Sequence, residues 1–374
     1  MGMSSIEVKK ANQNSVLRYV LQQEEETKNS IAGALGLSIP TVTQCLKKLE
    51  DYGLVKETGS MQSIGGRKAI GYTCIKNAKA AIGVDITPNH VNIVVIDLAM
   101  QLLYSKRQNI RLYDDKASYD ALRRVIEQAL YESGVKKDSI LGMGISLPTI
   151  TDETGTRIFA MHEKMQISFG FYDTVKDWFD FPVIMRNDAN CAAQAEMKAR
   201  GETGNAVYFF ISQSVGGAIV NHGKINPGES LREGEFGHMT LIPGPTGRPC
   251  FCGRRGCADA YLTTSILADA ADGLLDKFFQ ELPEKEAYRA LWEEYLQYLA
   301  LAIHNLNMVF DRPLIIGGYL GEYIGSYTEE LGKKIREMDP YLEDSSFVKP
   351  AVLKYEAAAM GAAAVFTEQY LNSL

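Results

Sequence analysis

Residues 234–261 read GEFGHMTLIPGPTGRPCFCGRRGCADAY. His238, Cys250, Cys252 and Cys257 bring one imidazole and three thiols into twenty positions of this stretch. That donor set suits tetrahedral Zn2+, and the Gly and Pro residues between the donors let a loop wrap around an ion. Four protein ligands leave no open position for an activated water, so such a zinc is expected to be structural. The plainer alternative is three thiols beside a coincidental histidine. The chain has six cysteines in 374 residues, too few for a disulfide scaffold, and three of them fall within eight positions here. In a reducing compartment, close thiols near a His point to metal. Cys45, Cys74 and Cys191 read as small packing residues.

Outward from this loop the pattern is α/β. AAIGVDI, HVNIVVIDL, ILGMGISL, FPVIMRND, AVYFFISQ, GAIVNHGKI and RPLIIGGYL are short β-rich runs. Helical stretches such as SYDALRRVIEQALYESG and ANCAAQAEMKARG separate them, and alternation of this kind argues for α/β architecture. Hairpin-like openings near 81–104 and 206–225 suggest two similar halves, and residues 263–311, rich in helix formers, read as a helical insertion or packing surface.

Residues 1–76 differ in kind. From Asn12 they read as three short helices. Val16, Leu17, Val20 and Leu21 mark the first, and Ile31, Ala32 and Leu35 the second, which Gly36 ends. Ser38 is a good N-cap for the third, with Pro40 in its first turn. Val42, Leu46 and Leu49 share one face of that helix, leaving Thr41, Gln44, Lys47 and Lys48 outward. A polar-faced helix after a short Gly turn is how a recognition helix meets the major groove, where Gln reads adenine and Thr and Lys reach bases or phosphates. LVKETGSMQSIGGRKAIGYTC then reads as two strands around a Gly-rich tip, a wing whose Arg67 and Lys68 offer cations to DNA. The DNA-contacting set is therefore Ser38, Thr41, Gln44, Lys47, Arg67 and Lys68. A small helical protein-interaction domain is the bland alternative. The acidic run Glu24-Glu25-Glu26 reads as a solvated helix end.

Charge supports the first reading. Residues 1–76 carry ten Lys and Arg against seven Asp and Glu, a net +3 that leaves −10 for the rest of a chain at −7. A basic head on an acidic body fits a head that meets a polyanion. With 46% hydrophobic and 23% charged residues, the composition is globular. No run approaches a membrane span and no apolar signal core stands at the N-terminus, so a cytoplasmic location is expected.

The motifs together resemble the ROK family (repressors, open reading frames and kinases), specifically its regulators with a winged helix-turn-helix head, a group that includes repressors of xylose and N-acetylglucosamine operons. The matching pieces span nearly the whole chain: the head through LGLSIPTVTQCLKKLEDYGLVKE and its GGRK wing, then GISLPT, PVIMRNDANCAAQAE, GEFGHM, CFCGRRGC, IIGGYL and AAAMGAAAVF. The resemblance implies an actin-like (ribonuclease H-like) two-lobed sugar-kinase fold behind the head. The expected units are 1–76 for the winged helix-turn-helix, 77–190 for the N-terminal lobe, and 191–374 for the C-terminal lobe with the zinc loop and helical insertion. It further implies that Asn187, Asp188, Glu235, His238 and Asp259 hold the hydroxyls of a sugar in the interlobe cleft. Asp259 stands where the family usually has Glu. Sugars are polyols, and such polar groups reject analogues that leave them unpaired. His238 has one nitrogen for zinc and one for the sugar. His162 lies where the family's chain approaches the sugar, whereas His90, His222 and His304 read as isolated histidines.

In the family's kinases Asp188 is the base that takes the proton of the attacking hydroxyl. The family's first phosphate loop, Asp-x-Gly-Gly-Thr, reads Asp85-Ile86-Thr87-Pro88-Asn89 here, and the second, Gly-Thr-Gly-Ile-Gly, reads Ser212-Gln213-Ser214-Val215-Gly216. Thr87 adds a side chain where phosphate would approach, Pro88 removes an N–H donor, and two of the second loop's three glycines are gone. Gly317 and Gly318 keep a tight strand–helix turn. The expectation is a regulator that no longer phosphorylates, with Asp188 a vestigial base. It binds operator DNA as a homodimer and answers to a sugar. An ATP-dependent sugar kinase with a DNA-binding head, and a regulator answering to a partner protein, are the rivals.

Overall fold

In the computed structural model, which describes residues 4–61, 69–339 and 341–374, the head is built from α1 (Ser5–Gln22), β1 (Glu26–Thr27), α2 (Lys28–Leu35), α3 (Ile39–Asp51), β2 (Val55–Met61) and β3 (Ala69–Cys74). Helix α1 begins well before Asn12. Ser4 and Glu7 form a capping box in which each side chain takes the other's backbone N–H. The acidic run is not a helix end: α1 stops at Gln22 and Glu26 pairs with Tyr72 of β3. Thr27 caps α2 by accepting the N–H of Ser30, and Gly36 closes it in the left-handed region at φ 63°, the usual glycine cap. Ser38 accepts the N–H of Thr41 at the start of α3. Val42, Leu46 and Leu49 of α3 are buried against Val16, Leu17, Val20 and Ile31. The wing strands β2 and β3 pair antiparallel. Arg67 and Lys68 of its tip lie outside the described residues.

The body contains two five-stranded sheets of the same design. The first joins β4 (Ala80–Ile86), β5 (Val91–Asp97), β6 (Leu102–Gln108), β7 (Ile140–Leu147) and, past the small hairpin β8 (Thr149–Thr151) and β9 (Ile158–Met161), β10 (Val183–Asn187). The second joins β11 (Ala206–Ile211), β12 (Val215–Asn221), β13 (Lys224–Asn226), β14 (Leu314–Gly317) and β15 (Val348–Pro350). Their orders are β6-β5-β4-β7-β10 and β13-β12-β11-β14-β15, so each has an antiparallel meander followed by two parallel strands. The hairpins at 81–104 and 206–225 are the equivalent openings of two equivalent halves.

Strands β4 and β5 are buried at every position, as expected of strands covered on both faces. On one face lies α4 (Lys116–Glu132), with Leu122 and Ile126 in the first lobe's core; short α5 (Phe171–Val175) joins the same core. Between the lobes runs α6 (Asp188–Arg200), whose alanines pack on β11 and β12. The stretch after the Cys-rich loop is helical throughout: α7 (Asp259–Leu262), α8 (Ser265–Asp269), α9 (Leu275–Glu281) and α10 (Glu286–Phe310). Trp292, Leu296, Leu299 and Ile303 of α10 share the second lobe's core with Phe209 and Ile316. After β14 come α11 (Gly321–Ile324) and α12 (Thr328–Met338), and after β15 the C-terminal helix α13 (Ala357–Ser373).

Helix α13 crosses back to the first lobe, where Ala359, Ala363 and Phe366 pack against Ala81, Val94 and Ile96. Its close approach requires glycine in the sheet. A Cβ on Gly83 would stand 1.9 Å from the carbonyl oxygen of Ala359, and one on Gly144 2.1 Å from that of Ala362. Its last turn reaches the head. Leu371 is buried in the head's apolar cluster, and Glu368 accepts from Arg18 of α1 at 2.7 Å and also from Lys198 of α6. No helix among the described residues is long and apolar enough to cross a membrane.

Candidate functional site

Strand β10 ends and α6 begins at the mouth of the interlobe cleft. Asn187 is the N-cap of α6. Its Oδ1 accepts the N–H of Asn190 at 2.9 Å and its Nδ2 donates to the carbonyl of Thr149 at 3.0 Å. The cap places Asp188 in the first turn, buried, where its Oδ1 accepts the N–H of Ala189. Burial pushes its carboxyl up to about 7, reinforced by the charges of Asp85 and Glu235. Asp85 is also fully enclosed and is raised to about 6 by burial. Hydrogen bonds from Asn92 and Ser146 and the Arg107 charge partly offset that rise.

Asn187, Asp188, Glu235 and His238 line one cavity of about 150 Å³, together with Thr149, His162, Ser214, Arg232 and Phe251. Glu235 and His238 flank a short helical turn, with Oε2 and Nε2 4.0 Å apart. Burial raises the Glu235 carboxyl, and Arg232 opposes the rise. Asp259 is not among the lining residues. Its buried carboxylate faces the second loop and accepts the N–H of Val215 at 2.9 Å. Of the five expected sugar-binding residues, the cavity therefore brings four together and Asp259 stands behind it.

Other lining residues carry little or no signal in the sequence. Phe251, between two cysteines, packs on His162 (ring centroids 4.4 Å) and on His238 (5.1 Å). His162 is buried, and burial, aided by Lys164 and His238, drops its pKa to about 4. Its Nδ1 accepts the N–H of Lys164, so the ring proton sits on Nε2, which has no partner. The Thr149 hydroxyl is likewise buried without a partner. Unpaired buried polar atoms around a cavity are costly alone and become paired when a polar ligand enters.

The metal loop stands beside this cavity. Nδ1 of His238 lies 3.8 Å from Sγ of Cys250, and Sγ of Cys252 lies 3.7 Å from Sγ of Cys257. All four donor atoms fall within 4.8 Å of one another. Zn–S bonds of about 2.3 Å require tetrahedral edges of about 3.8 Å, so the residues present fit the ion. With Nδ1 toward the thiols, Nε2 of His238 faces Glu235.

Both loops expected at the phosphate positions have some of their N–H donors already engaged. Thr87 donates its N–H to the carbonyl of His90 at 2.9 Å, and its hydroxyl accepts the N–H of His90 at 3.0 Å. Ser212 donates to the carbonyl of Ser214 at 2.9 Å, and Val215 to Asp259. Tyr319, after Gly318, extends toward the first loop under the Arg107 guanidinium, 4.6 Å from its ring centre. The gap lined by Asp85, Thr87, Asp188, Gly318 and Tyr319 holds about 20 Å³.

In the head, Gln44, Lys47 and Lys48 are exposed on α3 and Thr41 is half-buried. Ser38 is exposed but its hydroxyl is engaged with Thr41 at 2.8 Å, which makes it a cap first. Thr43 is exposed on the same helix, a position that the sequence reading does not single out.

Head, duplicated lobes and polyol-type cleft define a class: a helix-turn-helix unit carried on an actin-like sugar-kinase body. Comparison with known proteins makes that specific. The ROK family model matches residues 81–369 and a winged helix-turn-helix DNA-binding model matches residues 11–56. The chain belongs to the ROK family. It is 24% identical over 387 residues to the xylose repressor of Bacillus spizizenii, covering 98% of this chain and 97% of the relative. Among solved structures it is similar to a ROK family transcriptional regulator that is a homologue of the E. coli MLC protein, with TM-score 0.74, 19% identity and 98% of both chains covered. The ROK hexokinase of Thermus thermophilus matches with TM-score 0.61 and 25% identity, over 79% of this chain and 100% of that one.

Proposed function

We propose that this protein is a sugar-responsive transcriptional repressor. Its head binds operator DNA through α3 and the wing, and a sugar in the interlobe cleft governs that binding. The units are the head (1–76) and two lobes (77–190 and 191–374), with α13 passing from the second lobe back over the first. The observation that carries the reading is α13 itself. It packs along α6, whose N-terminus holds Asn187 and Asp188, and its Glu368 ties both α6 and the head. A sugar that prefers one interlobe angle therefore moves the helix on which the head rests.

In this reading Asn187, Asp188, Glu235 and His238 bind the sugar hydroxyls, with Nε2–H of His162 as a further donor. Zinc held by His238, Cys250, Cys252 and Cys257 stiffens the loop that presents His238 and Phe251. A homodimer places two α3 helices on a pseudo-palindromic site. Pro88, the missing glycines and the engaged N–H groups of Thr87, Ser212 and Val215 weaken the cradle for a nucleotide, so in this reading the protein is not an enzyme. Coupling is reciprocal: operator DNA changes sugar affinity by the factor by which sugar changes operator affinity. Calorimetric titration of sugars with and without operator DNA tests this, and equal affinities end the proposal. One observation favours a kinase instead, the Asp188 carboxyl at about 7, suited to accepting a proton. ADP release dependent on sugar and abolished in Asp188→Asn would establish that rival.

A further inference from the structure

The cleft continues beyond the residues that face Glu235 and His238. Asn187 and Ile150 also line a second chamber of about 320 Å³. Ile150, Ile225, Pro227, Leu231 and Val365 give that chamber an aliphatic side, and Asp152, Glu153, Arg186 and Gln194 give it a polar one. We propose that the effector is a glycoside, its sugar ring in the cavity of Asp188 and Glu235 and a second, mainly apolar unit in this chamber. The proposal rests on the sugar-sensing reading above.

Three features support it. Leu231 holds φ at 58°, a left-handed conformation that a bulky side chain avoids unless its surroundings impose it. It lines the second chamber and also a gap of about 30 Å³ lined by Asp188 and Glu235, so it borders both spaces. Asn190, whose Oδ1 is buried without a partner, lines both as well. The aliphatic side of the chamber offers apolar surface to a hydrocarbon group, and the unpaired Asn190 oxygen awaits a donor such as a hydroxyl.

The third feature is the floor, formed by Gly361 and Val365 of α13. None of the residues lining the first cavity belongs to α13. Of these two helices a bare sugar thus touches α6 and not α13, whereas the second unit rests on α13, which carries Glu368 to Arg18 of the head. The substituent is the part of the ligand that the head senses most directly.

Calorimetry on the full chain with D-xylose, D-glucose and N-acetyl-D-glucosamine, and with the phenyl β-glycoside of each, tests the proposal. For the sugar that binds, the phenyl glycoside is expected to bind about tenfold or more tightly, from the apolar surface it buries. It should also release operator DNA at correspondingly lower concentration. Val365→Trp fills the chamber from α13 and Ile225→Trp fills it from the opposite hairpin, so a folding defect in one does not remove the test. Each is expected to erase the glycoside's advantage and leave free-sugar affinity within about twofold of the parent. Equal binding of glycoside and sugar overturns the proposal while leaving the sugar reading intact, as does a preference that survives both variants. Binding of neither sugar nor glycoside overturns the sugar reading itself, and this inference with it.

Discussion

Asp188 shows how a single residue's surroundings set its behaviour. Burial, then Asp85 and Glu235, hold its carboxyl at about 7 against an ordinary 3.8. A carboxyl raised on folding binds its proton more tightly in the folded chain. Its stabilising contribution is complete below about pH 4 and is lost as pH rises to about 7. Asp188→Asn removes the ionisable group, so its melting temperature should exceed the parent's at about pH 8 by about 3 °C or more and match it only at about pH 4 or below. Equal melting at both values would mean that folding does not raise the Asp188 carboxyl. The same substitution should weaken sugar binding by about 10- to 100-fold, the scale of one charged hydrogen bond. At the metal loop, Cys250→Ser should abolish zinc retention and lower both melting temperature and sugar affinity, since His238 and Phe251 share the loop. Metal analysis of parent and variant reads the first effect and titration the last; a variant that loses zinc but keeps sugar affinity would uncouple loop and cleft. The His and Cys set is legible before folding because metal-ligand chemistry depends on residue type and close spacing, whereas the cleft residues are singled out by the resemblance to the ROK family. Phe251 and Thr149 are not, since an aromatic or a hydroxyl carries no such mark until something packs around it.

Among the elements, α3 and α13 carry separate parts of the function. Gln44 is exposed on α3, so Gln44→Ala should cost about 1–3 kcal/mol of operator binding and relax preference at one base pair. Lys47→Ala should weaken binding to all sequences alike and reduce the salt slope by about 1. Titrations at several salt concentrations separate the two, and identical behaviour would place α3 outside the groove. Glu368→Gln should leave sugar and operator affinities near the parent when measured singly and reduce the coupling between them by about 0.5–2 kcal/mol. Undiminished coupling in a double titration would show that α13 does not transmit the signal. Helix α3 is readable from its cap and its apolar face. The early start of α1 is not, although Ser4 and Glu7 form a capping box, because the polar turn that follows has no apolar periodicity to announce a helix.

Across the whole molecule, the equal strand orders of the two sheets explain why a cleft exists at all. Two like halves are joined through α6, which packs on the second sheet, and α13, which bridges back to the first. Repeated β-branched runs, glycine turns, the winged head and the His and Cys loop were set by the sequence alone, because each depends on neighbours within a few residues. Tertiary structure decided that Asp259 faces Val215 instead of the cavity, that Tyr319 reaches under Arg107, and that the last helix links cleft to head. Those outcomes join residues far apart in the chain, such as Arg18 and Glu368. They follow from how whole surfaces pack, which no local spacing encodes.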